Sequence, residues 1–260
     1  MGRRIRDPAR AVMTFEQFSA GRSLLHQADP RGKLISAGVL SLIFALCQQP
    51  RTALAGLLLA LLLTAAARLH WAAVLRRLLV VNSFNALLLL LLPLTYGGAE
   101  TVRFVWFDLS LSGLRLAALI TVKSNAAVLL FISLLSTSTV ARLGQGLQAL
   151  RLPQNLCLLL LFSYRYLGLI HEEFLRLRRA AALRCFQPST NLHTYRTYGH
   201  LLGMVIVRSW NRAARVQQAM ALRGFSGAFR SLHVMELRRS DVLLTGALLL
   251  AALLLAALEV

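Results

Sequence analysis

Charge-free apolar runs, separated by short basic segments, dictate what this chain can fold into. Leu34 to Pro50, Thr52 to Ala67, Leu78 to Ala99 and Val242 to Leu258 hold no acidic or basic residue. Crossing hydrocarbon takes about 20 residues of helix, so each run is near that length, the first two and the last at the short end. Gly113 to Ser136 is also long enough but contains Arg115 and Lys123. Arg115 can snorkel from a helix end. Lys123 lies deeper and is expected to face protein, because an ammonium in lipid is costly. The chain is 57% hydrophobic, with mean hydropathy +0.62, yet formally +19 in charge. Apolar spans between basic loops reconcile those figures, and they exclude an ordinary soluble enzyme and a disordered chain.

The distribution of Arg and Lys sets an expected topology, since cytoplasmic loops carry the positive excess. Residues 1–33 hold seven basic residues and no short apolar core before Leu34, which suits a cytoplasmic segment and not a signal peptide. Arg51 alone marks the next loop as outside, and Arg68, Arg76 and Arg77 bring the following one inside. Residues 100–112 have Arg103 against Glu100 and Asp108 and belong outside. A further apolar run, Leu152 to Ile170, invites a sixth span. It would export residues 172–240, with 12 Arg against three Glu, and it is cut by Arg165.

The run is better read as half of a long helix continuing to about Cys185, with Pro153 in its first turn. Leu167, Ile170, Phe174, Leu177 and Ala181 form one stripe, and Arg165, Glu172, Arg176 and Arg179 a second, with Glu172 and Arg176 an i,i+4 pair. The expected fold is all-α, a polytopic membrane protein with about five transmembrane helices and a cytoplasmic region of coupling helices. Its parts are a cytoplasmic segment 1–33, four spans within 34–136, a cytoplasmic domain 137–240 with long helices at about 153–185 and 191–224, and a last span within 241–260.

Ala181-Ala182-Leu183-Arg184-Cys185-Phe186 recurs 39 residues later as Met220-Ala221-Leu222-Arg223-Gly224-Phe225. Gln187 to Asn191 between them reads as a break with capping residues. Gly224 fits a helix C-cap of positive φ and Cys185 does not. Arg208, Arg212 and Arg215 form a basic stripe on the second helix, and Arg208, outside the motif, is the natural control for lost positive charge. Each copy reads either as a solvated basic helix end or as a docking element. In the second reading an Arg framed by apolar contacts pairs with a carboxylate in a partner's groove.

Several blocks, in order, resemble a known family. Ser23-Leu24-Leu25-His26-Gln27-Ala28-Asp29-Pro30-Arg31-Gly32-Lys33-Leu34 resembles the N-terminal motif of the transmembrane T components of energy-coupling-factor (ECF) transporters. Gly113-Leu114-Arg115-Leu116, Leu150-Arg151-Leu152-Pro153, Ser163-Tyr164-Arg165-Tyr166 and Glu172-Glu173 are similar to its later blocks. Leu183-Arg184-Cys185 and Leu222-Arg223-Gly224 resemble its paired Ala-Arg-Gly motifs, departing at Leu183, Cys185 and Leu222. With Phe15-Glu16-Gln17 and the overall length, the chain is most similar to the cobalt-transport CbiQ group, with nickel and shared vitamin T components as alternatives.

The resemblance implies a multi-pass subunit of a bacterial inner membrane, without catalysis or cofactor of its own. It would join two cytosolic ATP-binding subunits to a membrane-embedded, CbiM-like cobalt-binding S component, with room for a small accessory membrane subunit. Arg184 and Arg223 would be the docking arginines. Asp29, Pro30, Arg31 and Lys33 would be the N-terminal family motif.

The residues themselves carry little other chemistry. His26, His70, His171, His193, His200 and His233 form no short ligand cluster, and three cysteines (Cys47, Cys157, Cys185) suit neither a disulfide framework nor a thiolate site. No phosphate loop occurs and the chain has only two lysines, so ATP hydrolysis would fall to partners. Charge that flanks spans suits anionic lipid rather than nucleic acid. Asn82, Ser83 and Asn85 are expected to make interhelical hydrogen bonds or to line the S-component contact. An intramembrane enzyme or a membrane-anchored scaffold remains the reading from a different class.

Overall fold

The computed structural model describes residues 23–95, 101–104, 107–225, 227 and 239–259. Phe15-Glu16-Gln17, Glu100 and His233 lie outside them. The described chain is helical apart from one short hairpin. A single turn α1 (Leu24–Gln27) leads to α2 (Pro30–Leu46), α3 (Pro50–Ala66) and α4 (Trp71–Thr95). Strands β1 (Thr101–Phe104) and β2 (Phe107–Ser110) then pair antiparallel, Thr101 opposite Ser110. They are followed by α5 (Leu111–Leu134), α6 (Val140–Ala149), α7 (Gln154–Leu183), α8 (Leu192–Leu222) and α9 (Arg239–Ala257).

Helix boundaries follow local chemistry. Pro30 and Pro50 open α2 and α3, where a missing amide hydrogen costs nothing and φ is already helical. Asp29 caps α2 by accepting from the Arg31 amide at 2.9 Å, and Asn191 caps α8 by accepting from Thr194 at 3.0 Å. Among the described residues, α4, α5 and α9 are long and apolar enough to cross a membrane, and α3 is a shorter apolar helix. The chain is an all-α membrane protein.

The described residues fall into two compact units. One holds everything up to Leu150 together with α9, and the other holds α7 and α8. In the first, Leu40 and Phe44 of α2, Ala60 of α3, Val74 of α4, Leu129 and Leu130 of α5 and Leu248 of α9 share one buried core. Small residues let the backbones close up, as in membrane bundles generally. At Gly32 even a methyl group would sit 2.1 Å from the Thr245 hydroxyl, so α2 and α9 meet there only because the position has no side chain.

Polar groups at depth are paired across α4 and α5. Asn85 donates to Ser124 at 2.8 Å, and Asn125 donates to the Asn82 carbonyl at 2.9 Å. Ser83 is exposed on the other face and takes no part in that seam. Lys123 reaches the Ala45 carbonyl in the last turn of α2 at 3.2 Å, so its ammonium meets protein as expected, at a helix end whose dipole favours a cation.

Candidate functional site

The two copies of the repeat form the same structure. Both α7 and α8 end with the chain turning left-handed one residue after the arginine, at Cys185 (φ 61°) and Gly224 (φ 74°). In the first copy the Phe186 amide donates to the Ala181 carbonyl at 3.1 Å and the Cys185 amide to Ala182 at 3.1 Å. In the second, Phe225 donates to Met220 at 3.1 Å and Gly224 to Ala221 at 3.0 Å. That is a Schellman cap, written twice. Cys185 therefore occupies the conformation that the sequence reading reserved for glycine. The six-residue pattern and the paired amides impose it despite the Cβ.

Bringing the chain around this cap leaves Leu183 and Leu222 at 86% and 89% exposure, beside exposed Arg184 and Arg223. A large apolar side chain so bare at a rigid helix end has no role in this chain's own core. The Phe that closes each motif turns back instead, and Phe186 lies edge-on to His193 and Tyr198 at 6.1 and 6.0 Å.

An L-residue in the left-handed region costs on the order of 1 kcal/mol relative to glycine. Cys185→Gly is thus expected to stabilise the α7 end by about 1 kcal/mol, and Gly224→Ala to destabilise the α8 end similarly. Thermal unfolding of the purified protein in detergent checks both signs. Opposite or absent shifts would show that the left-handed turn carries no strain.

Between the helices sits a charged cluster that the sequence reading did not find. It paired Glu172 with Arg176, and these do meet, at 3.5 Å on the surface. The buried acid is Glu173, with a side chain 9% exposed. It accepts a hydrogen bond from Arg208 of α8, and Arg176 and Arg212 approach at 3.7 and 3.8 Å. Arg208 and Arg212, though partly exposed, are therefore ion-paired to α7, and Arg208 is no neutral control for charge. Its reversal would break the tie between α7 and α8. The exposed Arg215 of α8, two turns before the second tip, serves instead.

Above the cluster the two helices line a groove of about 650 Å³, with Phe162, Tyr166 and Ile170 on one wall and Val216 and Met220 on the other. The Arg208 hydrogen bond and the three guanidinium charges hold the Glu173 carboxyl below its ordinary range, against the opposing effect of burial. A carboxylate with a lowered value stabilises the fold fully above its unfolded value and loses that contribution as pH falls through the folded one. Glu173→Gln is expected to cost about 2 kcal/mol near neutral pH, with the gap to wild type closing as pH falls below the ordinary carboxylate range. Unfolding midpoints in detergent across pH test this, and a gap that persists in acid would contradict it.

The N-terminal motif occupies a second, buried cluster in the other unit. Lys33 is only 1% exposed, and its ammonium donates to the Ser138 hydroxyl at 2.8 Å. The Asp29 and Asp241 carboxylates and the Arg142 guanidinium act on its charge. Arg142 also donates to the His26 carbonyl at 3.4 Å, and Pro30 packs against Gly146 of α6. Arg31 gives its amide to the Asp29 cap. Asp29, Pro30 and Lys33 thus tie the start of α2 to α6 and to the start of α9, while Arg184 and Arg223 stand on the other unit. Among the described residues, no three His, Cys, Asp or Glu side chains converge in a way that could hold a metal.

Comparison with known proteins gives the family. A family model described as the CbiQ cobalt transport protein matches residues 21–234. The chain is 33% identical to the nickel permease LarQ of Lactiplantibacillus plantarum over 84 residues, 32% of this chain and 30% of that protein. It is 23% identical over 158 residues to an uncharacterized protein of Methanocaldococcus jannaschii, 59% of this chain and 58% of the relative. Less than two thirds of each of those relatives is therefore spanned. The match to the energy-coupling factor transporter transmembrane protein EcfT of Brevibacillus brevis is longer, 26% identity over 225 residues, 81% of this chain and 84% of that one. The chain belongs to the CbiQ family of cobalt transport proteins.

Proposed function

We propose that the chain is the non-catalytic coupling subunit, or T component, of an ECF-type importer whose cargo is cobalt ion. Two cytosolic ATP-binding subunits dock on the Leu183-Arg184 and Leu222-Arg223 tips, and a membrane-embedded S component carries the metal. The reading is carried by one observation: two helix ends of identical cap geometry, each presenting a bare leucine beside an arginine. Such a tip suits a groove with an apolar floor and a carboxylate at its wall, because guanidinium and carboxylate pair in two parallel hydrogen bonds. Two equivalent tips suit two copies of one partner, or two related ones.

Helices α2, α3, α4, α5 and α9 serve as the spans in this proposal, with residues 137–240 cytoplasmic and the C-terminal end outside. The positive excess in 1–33 and 137–240 supports that orientation. Co-expression with neighbouring ATP-binding and S subunits tests the function. ATPases should co-purify with the chain, and cells should accumulate radioactive cobalt only when all subunits are present. Accumulation of nickel but not cobalt would keep the coupling role and change the cargo. Uptake that persists without the chain would remove the role itself.

A further inference from the structure

The reading of α3 and α5 as membrane spans gives meaning to a cleft that has no part in ATPase docking. The helices run parallel where their first turns face each other, and the space between these ends measures about 1140 Å³. Its lining changes character along α5. Ser112 and Arg115 stand at the mouth, and Leu119 and Val122 follow on the same face. From Arg115 to Val122 is about 10 Å of helix rise. On α3 the sequence is similar, from Gln48 and Gln49 just before the helix to Leu54 inside it. Arg115 is exposed, is the one charged residue lining the cleft, and has no hydrogen-bond or ion-pair partner among the described residues.

An acid on the α3 side of the mouth is otherwise engaged. Glu259 accepts from the Gln48 and Gln49 amides at 2.5 and 3.1 Å and from the Thr52 hydroxyl at 2.5 Å. Its carboxylate caps the turn into α3, and Arg115 is the one charge among the residues that line the cleft.

We propose that this cleft is a phospholipid site, with a lipid phosphate on Arg115 and an acyl chain along the groove between α3 and α5. A single cation at the polar end of an apolar trough at membrane depth matches a molecule with one anionic head and a long apolar tail. A guanidinium at the interface pairs with phosphate through two hydrogen bonds, and the trough walls offer only apolar surface to whatever lies below it. A partner helix would have to place an acid against Arg115 and apolar residues one to two turns deeper.

The test uses the full chain in vesicles of mixed phosphatidylethanolamine and phosphatidylglycerol, with a trace of phosphatidylglycerol bearing a photoreactive group on its acyl chain. Illumination should label peptides of α3 and α5 at the cleft. Arg115→Gln should reduce that labelling about fivefold, the order expected for one basic residue at an anionic surface. Ala118→Trp, which fills the trough from an exposed position, should abolish it while labelling elsewhere on the protein stays constant. A diacylglycerol probe with the same acyl chain and no phosphate should label the cleft weakly and be indifferent to Arg115→Gln. Equal labelling of wild type and both variants would overturn the proposal. So would labelling that vanishes when the S subunit is present and is replaced by a cross-link from position 118 to that subunit, since the cleft would then be a protein seat. Loss of ATPase docking would leave the labelling result intact, so the two readings fail separately.

Discussion

Arg223→Glu is expected to release the ATP-hydrolysing partner from the membrane while leaving expression and insertion unchanged. Arg223 is exposed, touches no core residue, and closes a helix whose cap depends on backbone amides and Gly224 rather than on its side chain. Its removal costs the chain itself almost nothing. In a partner's groove the same change sets two carboxylates against each other. Truncating one half of a desolvated charge pair costs about 2–5 kcal/mol, and reversal adds repulsion, so affinity should fall at least about a hundredfold. Arg184→Glu should act in the same direction. The double variant should lose the ATPases altogether. Arg215→Glu, on α8 about 12 Å of helix rise before Arg223 and far from the first tip, reports the effect of lost positive charge alone and should retain them. ATPase recovered per mole of tagged chain is the measurement. Equal loss in the Arg215 variant would mean that a diffuse basic surface, not two anchors, holds the partner.

Lys33→Met should be the most damaging single change in the membrane unit. Methionine matches the length of the lysine stem, so the cavity is small and the lost charge dominates. Without the ammonium, Ser138 loses its donor and the buried Asp29 loses a neighbouring positive charge. Breaking a buried ionic group by removing one member costs about 3–5 kcal/mol, a large part of any domain's stability. Low yield and a lowered unfolding midpoint in detergent are expected, with Lys33→Arg intermediate because the larger fork does not fit a site 1% exposed. A Lys33→Met protein as stable as wild type would show that the cluster stabilises nothing.

Much of this was legible in the sequence because the forces involved act locally. The charge-free runs predict α2, α3 and α9 to within four residues and α4 with its start missed by seven. The run Gly113–Ser136, with its two basic residues, predicts α5 to within two. Desolvation leaves an apolar stretch of that length few alternatives to helix. The helix bounds drift towards the N-terminus of the runs, as capping prolines and Asp29 allow a helix to begin in the polar flank. Lys123 facing protein follows from the same cost of an unpaired charge in lipid.

What stayed hidden depends on rotation and on distant partners. Glu172 and Glu173 are adjacent, about 100° apart around the helix, and only the position of α8 decides which is buried. The stripe of Leu167, Ile170 and Phe174 marks an apolar face. The groove is instead lined by Phe162, Tyr166, Leu169, Ile170 and Glu173, and Leu167 is half exposed. Arg208 looked free for the same reason. Cys185 misled differently. Residue preference argues against a left-handed cysteine, but the repeat itself, with Phe one position on, was the better guide to its backbone.

The central claim is that the two leucine–arginine tips are the seats of two ATP-binding subunits. Photocross-linking from positions 183 and 222 in intact membranes tests it most directly, since both side chains are bare in the chain itself. With the ATP-binding subunits co-expressed, illumination should yield an ATPase adduct from each position and none from position 206, exposed in the middle of α8. Adducts absent from both tips, or equally strong from position 206, would contradict it.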